Sequence, residues 1–412
     1  MRRHHNGRQA GRGRRRIIYC RGSVRRLVPV IYAIVFLDAV LQFALVPLLP
    51  DYADELGLSK TQAGIVVATY SAVVLIAALP VGRLADRFGA RRLTIFGTVL
   101  LAVSTAGFGL ADGFATLLVA RVGQGLSSAI SWTAGLAWLA GAFPGERRAK
   151  VLGASMAVGN AGALLGPVVA GPLGQAFGIR APFLLFAAVA AVLAAWSVLP
   201  AEARGMVPEA VSLRGLARLS ARSRSLAAGV LIMIVVAVVS GALETLVPLS
   251  LGSDDWSATQ ISVVLGLAGA TGVIANLAVG RIYGRFGGIS LGTAGLLGAA
   301  LACAVLVPPQ LSALGLAALY IAGAPAISAQ YAVSFPLAAE GAEEVGLPHG
   351  VVLGLINVCW GLGFTIGPAA GAAVAEATSD GVTYALCAVI SLAAVFPLRS
   401  LALGRSECQE GA

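Results

Sequence analysis

The stretch LSKTQAGIVVATYSAVVLIAALPVGRLADRFG at residues 58–89 decides the fold, because its pattern returns at residues 256–287 as WSATQISVVLGLAGATGVIANLAVGRIYGRFG. The two stretches align without a gap, and each holds a long apolar run that ends in Val-Gly-Arg and then Arg-Phe-Gly. An apolar run of about 20 residues can cross a bilayer as a helix. The repeat therefore predicts two halves with the same layout of membrane-spanning helices.

The composition of the whole chain also indicates a membrane protein. Of its 412 residues, 58% are hydrophobic and only 12% are charged. Soluble domains have about a quarter of their residues charged. So little charge cannot cover a water-soluble globule of this size, which excludes soluble enzymes, fibrous proteins and disulfide scaffolds.

Twelve apolar runs are long enough to be spans, which predicts an all-α membrane protein of two six-helix halves. The runs lie near residues 27–49, 61–82, 93–111, 114–140, 149–174, 180–200, 226–250, 258–280, 289–308, 311–338, 348–376 and 381–402. The predicted organisation is an Arg-rich tail at 1–26, halves at 27–200 and 226–402, a linker at 201–225 and a C-terminal tail at 403–412.

The basic residues predict the orientation in the membrane. Of the 29 Arg and Lys residues, only Lys60 and Arg180 fall in predicted connections on the side opposite to the N-terminus, and Arg121 falls inside a span. The positive-inside rule then predicts a multi-pass protein of the cytoplasmic (inner) membrane with both termini in the cytoplasm. The formal net charge of +10 follows from this topology, so it does not predict a nucleic-acid partner. We expect the linker to be an amphipathic connector on the cytoplasmic surface.

The motif GRLADRFGARR (82–92) is predicted to form the connection between spans two and three. Gly82 and Gly89 permit a tight turn. Asp86 can pair with an arginine or cap a helix, and Arg87 and Arg92 can meet lipid headgroups or carboxylates. The motif resembles the loop signature of the major facilitator superfamily. That resemblance implies that Asp86 serves in a latch that holds the outward-facing state.

Small residues mark the fifth predicted span, in GALLGPVVAG (162–171), and GFTIGPAAG (363–371) is its counterpart in the eleventh. Gly162, Gly166 and Gly171 let helices approach closely, and Pro167 bends the helix. The arrangement resembles the motif that marks the antiporter branch of the superfamily, where it is thought to limit leak. It favours an exporter, and an uptake symporter of the same fold is the alternative.

Arg121 and Gln124 lie in ARVGQGLSS (120–128), early in the fourth predicted span. Because an arginine in a bilayer costs about 3 kcal/mol, we expect Arg121 to face a water-filled cavity or a carboxylate. Snorkelling to the outer surface is the alternative, since Arg121 is near the start of its span. The sequence RVGQG resembles the fourth-helix signature of proton-coupled facilitators, which implies a role for Arg121 in proton transfer.

Two carboxylates, Asp38 and Glu244, lie inside predicted spans one and seven. Carboxylates at this depth are rare and commonly bind protons or cations, although each could have a structural role only. Their contexts, LDAVLQFALVPLLPDY (37–52) and LETLVPLSL (243–251), resemble the first and seventh helices of vesicular amine transporters and their bacterial multidrug relatives. The resemblance implies that both acids take part in recognising cationic amines and in proton coupling.

The eleventh span departs from that resemblance, because Asn357 stands where an aspartate is expected. An amide cannot exchange a proton, so neutral drugs or sugars are alternative substrates. Asn357 can still bond a substrate or a neighbouring helix. Tyr331 and Trp360 are candidate substrate contacts. Aromatic walls that could stack on a flat cation are Tyr331, Trp360, Phe43, Phe364 and Trp132.

Taken together, the sequence predicts a proton-coupled secondary antiporter that exports lipophilic, cationic small molecules, as in multidrug efflux, by alternating access of its two halves. The expected partners are the small-molecule substrate, protons and the lipid bilayer, and the chain is expected to work as a monomer. Enzyme motifs, a phosphate-binding loop and metal-ligand spacings are missing from the sequence, so we predict no catalytic residue, cofactor or metal. A non-transporting receptor of the same fold is a further alternative.

Overall fold

The computed structural model describes residues 21–143, 145–200, 223–347 and 349–409, and the regular elements within these ranges are helices without strands. The first half contains α1 (Arg21–Ala44), α2 (Leu49–Leu56), α3 (Lys60–Phe88), α4 (Ala90–Gly109), α5 (Phe114–Ile130), α6 (Leu136–Ala142), α7 (Gly145–Phe177) and α8 (Ala181–Ser197). The second half contains α9 (Arg224–Ser253), α10 (Ala258–Phe286), α11 (Gly288–Ala304), α12 (Ala313–Glu344), α13 (His349–Ala377) and α14 (Asp380–Gln409). The predicted all-α class is confirmed.

The helices are built to lie in a bilayer. Within the described residues, nine helical segments are long and apolar enough to cross a membrane, and α8 and α11 are shorter apolar helices. Large apolar side chains point outward, among them Ile76, Val119 and Phe396, which are 73–75% exposed. On helices long and apolar enough to cross a membrane, such side chains are suited to contact with lipid. The chain is therefore a multi-pass membrane protein.

The sequence repeat reappears as two equivalent helices. Both α3 and α10 are 29 residues long. Each begins behind a capping box, formed by Ser59 with Gln62 in one half and by Ser257 with Gln260 in the other. In such a box each partner's side chain bonds the other's backbone N–H, which fixes where the helix starts.

The predicted loop at 82–92 is wrong in its extent. The chain stays helical through Phe88, and α4 begins at Ala90, so that Gly89 alone breaks the path. Gly89 has φ +90°, and Gly287 has φ +74° at the same place in the second half. Residues with a side chain rarely adopt such angles, so one glycine is enough to turn the chain between two helices.

The fourth predicted span, 114–140, is not one regular helix. A π-helical turn at Ser131–Gly135 separates α5 from α6. Such turns insert an extra residue into an α-helix and are frequent at functional sites.

Buried apolar side chains form one large cluster in each half. One cluster comprises residues between 27 and 193, together with Leu249 and Ala258. The other comprises residues between 226 and 398, together with Val46. Each half therefore has its own core, and only a few residues of one half pack into the core of the other.

Some predicted segments lie largely outside the described residues. These are the Arg-rich tail at 1–26, of which the structure describes 21–26, and the linker at 201–225, of which it describes 223–225. The roles predicted for them stay predictions. Helix α14 continues to Gln409, into the segment predicted as the C-terminal tail.

Candidate functional site

The two ends of the bundle differ in charge. We call the end at which α3 meets α4, with Arg87, Arg91 and Arg92, the arginine end. We call the end at which α3 begins, with Lys60, the lysine end. Neither name implies a side of the membrane.

A cavity of about 270 Å³ lies between the two halves. The first half contributes residues of α1 and α7, and the second half contributes residues of α9, α10 and α12. Most of its wall is apolar, as is usual for small-molecule sites. Its polar lining residues are Asn160, Ser240, Glu244, Asn276, Tyr320, Ser328 and Tyr331.

Glu244 is the acidic residue in this lining. Its carboxylate forms no hydrogen bond or ion pair with any residue that the structure describes, and the Tyr331 hydroxyl also lacks a partner with hydrogen-bond geometry. Taking a carboxylate out of water without a partner is costly. A cavity with such a group is suited to a cation, or to a proton on the carboxylate itself.

Asp38, in contrast, is not among the residues that line this cavity. It is fully buried at 0% exposure. Its Oδ2 accepts hydrogen bonds from Ser128 Oγ and from Trp132 Nε1, both at 2.8 Å, whereas Oδ1 has no partner with hydrogen-bond geometry among the described residues. Two donors on one oxygen hold the carboxyl group in place and leave the other oxygen free to take a proton.

Trp132 belongs to the π-helical turn between α5 and α6. Besides donating to Asp38, its indole packs against Gly159 of α7, where an added Cβ would lie 2.9 Å from the ring. Val35 of α1 also lies beside that position, at 3.5 Å. The indole therefore joins the carboxyl group of α1 to the backbone of α7.

Arg121 is buried at 1% exposure, which excludes the snorkelling alternative. It forms no ion pair with Asp38. Its guanidinium donates to the carbonyl oxygens of Leu41 at 3.4 Å and Gln42 at 3.1 Å. These carbonyls lie in the last turn of α1, which ends at Ala44 and cannot bond them internally. A positive charge at a helix C-terminus is favourable, so Arg121 anchors the end of α1.

Gln124 links Arg121 to α4. Its Oε1 accepts from Arg121 at 2.9 Å, and its Nε2 donates to Thr105 Oγ1 at 3.2 Å. The guanidinium also lies over the rings of Tyr70 and Phe108, at 5.2 and 5.6 Å from their centroids. Cation–π contacts of this kind help to stabilise a buried charge.

The glycines of the fifth predicted span face two different helices. A Cβ at Gly162 would overlap the Phe36 carbonyl oxygen, and one at Gly166 would lie 2.6 Å from the Val40 carbonyl oxygen. Both positions therefore let α1 approach α7 within the first half. Gly171 faces the other half instead, because a Cβ there would overlap Ser262 Oγ and the Ala258 carbonyl oxygen of α10.

The contact of α7 with α10 is one of two equivalent seams between the halves. In the α7–α10 seam, Ser262 Oγ donates to the carbonyl oxygen of Pro167 at 2.7 Å. In the α3–α13 seam, Gly64 packs so closely that a Cβ would overlap the Pro368 carbonyl oxygen and Ala372. Both seams lie toward the lysine end.

The remaining substrate candidates are dispersed. Asn357 is exposed and does not line the cavity. Trp360 stacks on Phe364 with ring centroids 4.8 Å apart, and Phe364 meets Phe43, a lining residue, edge to face at 6.2 Å. The predicted aromatic wall is thus only partly at the cavity, through Phe43 and Tyr331.

The first-half motif lies at the arginine end. Gly82 is half-buried, whereas Asp86, Arg87 and Arg92 are exposed. The Arg87 guanidinium lies 5.3 Å from the ring centroid of Phe88.

Sequence reasoning missed Tyr320, Asn160 and Asn276 in the cavity lining. Tyr320 could have been found, because it precedes Tyr331 by eleven residues, about three helical turns, and so shares its face. Ser128 also escaped notice, although it lies four residues before Trp132 on α5. The two asparagines gave no such signal.

Comparisons with known proteins place the chain. A family model described as Major Facilitator Superfamily matches residues 31–352. The probable vesicular acetylcholine transporter-B of Danio rerio is 33% identical over 174 residues, which cover 40% of this chain and 35% of that protein. The probable sugar efflux transporter of Mannheimia succiniciproducens is 28% identical over 245 residues, which cover 59% of this chain and 61% of that protein. Each match spans less than two thirds of the relative.

A solved structure shares the fold over nearly the whole chain. It is that of a bacterial homologue of the human lysosomal transporter Spinster, in an inward-facing and unoccupied conformation. The TM-score is 0.69, the identity is 17%, and the match covers 93% of this chain and 94% of that one. At this identity the likeness concerns the fold alone.

Proposed function

Because this chain belongs to the Major Facilitator Superfamily, we propose that it is a proton-coupled antiporter that exports lipophilic cations across the inner membrane. The observation that carries the proposal is the difference between two membrane carboxylates. Glu244 lines the cavity between the halves and has no partner among the described residues, whereas the buried Asp38 of the first half accepts two hydrogen bonds. The first suits a cationic substrate, and the second suits a proton.

The distribution of charge supports the proposed orientation. The arginine end is proposed to face the cytoplasm, as the positive-inside rule requires, and the lysine end to face outward. Both seams between the halves lie toward the lysine end, so in this conformation the cavity is loaded from the cytoplasm. Rocking of the halves would then expose it to the outside.

The chemistry of the lining supports the proposed substrate class. The carboxylate of Glu244 supplies a counter-charge for a cation, and the rings of Tyr320, Tyr331 and Phe43 supply apolar surfaces that can stack on it. The mostly apolar wall favours lipophilic molecules over strongly hydrated ones. A relative named for acetylcholine, itself a quaternary ammonium ion, supports the same class.

The proton is proposed to bind Asp38 from the outside and to leave toward the cytoplasm. Protonation removes the negative charge that Ser128 and Trp132 stabilise, and thereby weakens both hydrogen bonds. Since Trp132 also packs on α7, the change would alter the packing of α1 against α7. Proton binding and the state of the halves are then linked, which is what exchange requires.

The experiment uses purified protein in proteoliposomes with an acidic interior. We expect a fluorescent lipophilic cation to accumulate inside, driven by the pH gradient. With Asp38→Asn, accumulation should fall to the level of protein-free vesicles, while size-exclusion profile and melting temperature stay near wild type. Normal accumulation by a folded Asp38→Asn variant would contradict the proposal.

Export of a neutral molecule such as a sugar is the second candidate. The amides of Asn160 and Asn276 in the lining favour it, because amides can bond hydroxyl groups, and a relative is named as a sugar efflux transporter. Proton movement on addition of a sugar, without any on addition of a lipophilic cation, would decide for this candidate.

A further inference from the structure

The α3–α13 seam ends in an ion pair at the lysine end. Lys60 Nζ of α3 lies 2.7 Å from Asp380 Oδ1, at the start of α14. The side chains of Lys60 and Asp380 are 40% and 23% exposed. On the other carboxylate oxygen, Asp380 accepts from Ser250 Oγ of α9 at 2.7 Å. Asp380 is therefore held by its own half and pairs with a cation of the opposite half.

A second carboxylate of the same half binds the start of α3. The backbone N–H of Thr61 donates to Glu376 Oε2, at the end of α13, at 2.6 Å. The first backbone N–H groups of a helix have no partner within the helix, and a negative charge there is favourable. Glu376 thus binds across the seam at the position where α3 needs an acceptor.

Within the part of the chain that the structure describes, the equivalent α7–α10 seam has no ion pair of this kind. Ala258 occupies the position in α10 that Lys60 occupies in α3, and it packs against Gly171 without a charge. Among the described residues, the charged contacts between the halves at the lysine end are therefore concentrated in the α3–α13 seam. The two seams must separate together for the cavity to open there, so a contact in one of them biases the whole mouth.

We propose that Lys60, Thr61, Glu376 and Asp380 form an ionic lock that holds the lysine end of the transporter closed and must break before the cavity opens outward. The lock rests on the proposed function only through the assignment of that end to the outside. Opening separates Lys60 from Asp380, while the bond from Ser250 stays intact because both of its partners belong to the second half.

The test measures access to the cavity and needs no transport. A cysteine is introduced by Ser328→Cys in the lining, and labelling by a membrane-impermeant maleimide is followed from the lysine end in sealed vesicles. The same protein without that substitution gives the background from native cysteines. We expect Lys60→Asp and Asp380→Lys each to raise the labelling rate about threefold, the range open to a partly exposed pair. The double exchange Lys60→Asp with Asp380→Lys should return the rate toward wild type.

A matched control lies at the same end within one half. Arg180 Nη2 pairs with Glu55 Oε1 at 3.2 Å, and these side chains are 49% and 47% exposed. Because both partners move together, Arg180→Glu should leave the labelling rate unchanged. An equal rise with Arg180→Glu, no rise with Lys60→Asp, or a double exchange as fast as the single variants would each overturn the lock. A protein that locks as expected but fails to transport cations would leave this inference standing and reject the proposed function.

Discussion

Asp38 and Glu244 are both acids in membrane helices, and the structure gives them opposite surroundings. Asp38 is enclosed, with Ser128 and Trp132 donating to one of its oxygens. Glu244 faces a cavity shared by the two halves and has no donor among the described residues. Under the proposed function, this difference gives the two acids different roles. Asp38, with its fixed donors, exchanges a proton, and Glu244, with no donor among the described residues, binds the cation that enters.

The largest effect should come from removing the charge at the cavity. We expect Glu244→Gln to weaken the binding of a lipophilic cation about 10- to 100-fold, because a hydrogen bond or contact to a charged group contributes about 1.5–3 kcal/mol. Equilibrium binding to purified protein measures it. Asp38→Asn should change the same dissociation constant by no more than about twofold.

A neutral analogue of the cation, matched in size, provides the control for Glu244→Gln. Its affinity should be unaffected by the substitution. If Asp38→Asn weakened cation binding as strongly as Glu244→Gln, the separation of the two sites would be wrong.

The next effect should come from the indole that holds Asp38. Trp132→Phe keeps an aromatic ring against Gly159 but removes the donor to Asp38 Oδ2. We expect gradient-driven cation uptake to fall about tenfold, with cation binding at equilibrium unchanged. Parallel loss of binding and uptake would show that Trp132 acts on the cavity and not through Asp38.

Neighbouring serines of α5 allow a paired comparison of smaller size. Ser128 donates to Asp38, whereas Ser127 donates to the carbonyl oxygen of Gly97 at 2.7 Å. Ser128→Ala should lower uptake about threefold to fivefold, since Trp132 still holds the carboxyl group. Ser127→Ala should leave uptake near wild type at a similar cost in melting temperature, because each variant loses one buried hydrogen bond. Equal uptake by the two variants would remove Ser128 from the proton site.

The smallest effect should come from a hydroxyl in the cavity. Tyr331→Phe keeps the ring that lines the cavity and should weaken cation binding about twofold, because only a neutral dipole is lost. Tyr384→Phe is the matched control, since the Tyr384 hydroxyl is buried, has no partner with hydrogen-bond geometry among the described residues, and does not line the cavity. A larger effect from Tyr384 than from Tyr331 would contradict the placement of the cavity.

The helical layout could be predicted because its cause is local. The thickness of a bilayer sets the length of each apolar run, and the repeat of residues 58–89 indicates that the two halves have the same layout. The π-helical turn at Ser131–Gly135 could not be predicted, because no glycine or proline marks the point in the apolar run where the turn begins. The extent of the 82–92 connection was overestimated, because charged residues such as Asp86 and Arg87 can lie in the last turn of a helix as well as in a loop.

The candidate site was predictable in its acids but not in their partners. Asp38 and Glu244 are conspicuous because carboxylates are rare in apolar runs. Their surroundings depend on which helices pack together: α5 and the π-helical turn supply the donors to Asp38, and α10 and α12 line the cavity beside Glu244. Arg121 shows the limit most clearly. Its burial could be expected from the cost of a charge in lipid, but its partners are backbone carbonyls, which every residue has and no sequence pattern marks.

The two seams achieve their close fit with glycines at non-equivalent positions. In the α3–α13 seam the missing side chain is that of Gly64, facing Ala372, whereas in the α7–α10 seam it is that of Gly171, facing Ser262. Gly64 is the counterpart of Ser262, and Gly171 is the counterpart of Ala372. If one ancestral six-helix gene was duplicated, its two copies began with identical seams, and the glycine that permits close contact later came to lie on a different member of the residue pair in each seam. Two copies of the first half would bring Gly64 opposite Gly171, and two copies of the second half would bring Ser262 opposite Ala372, so the observed close fit needs one half of each kind.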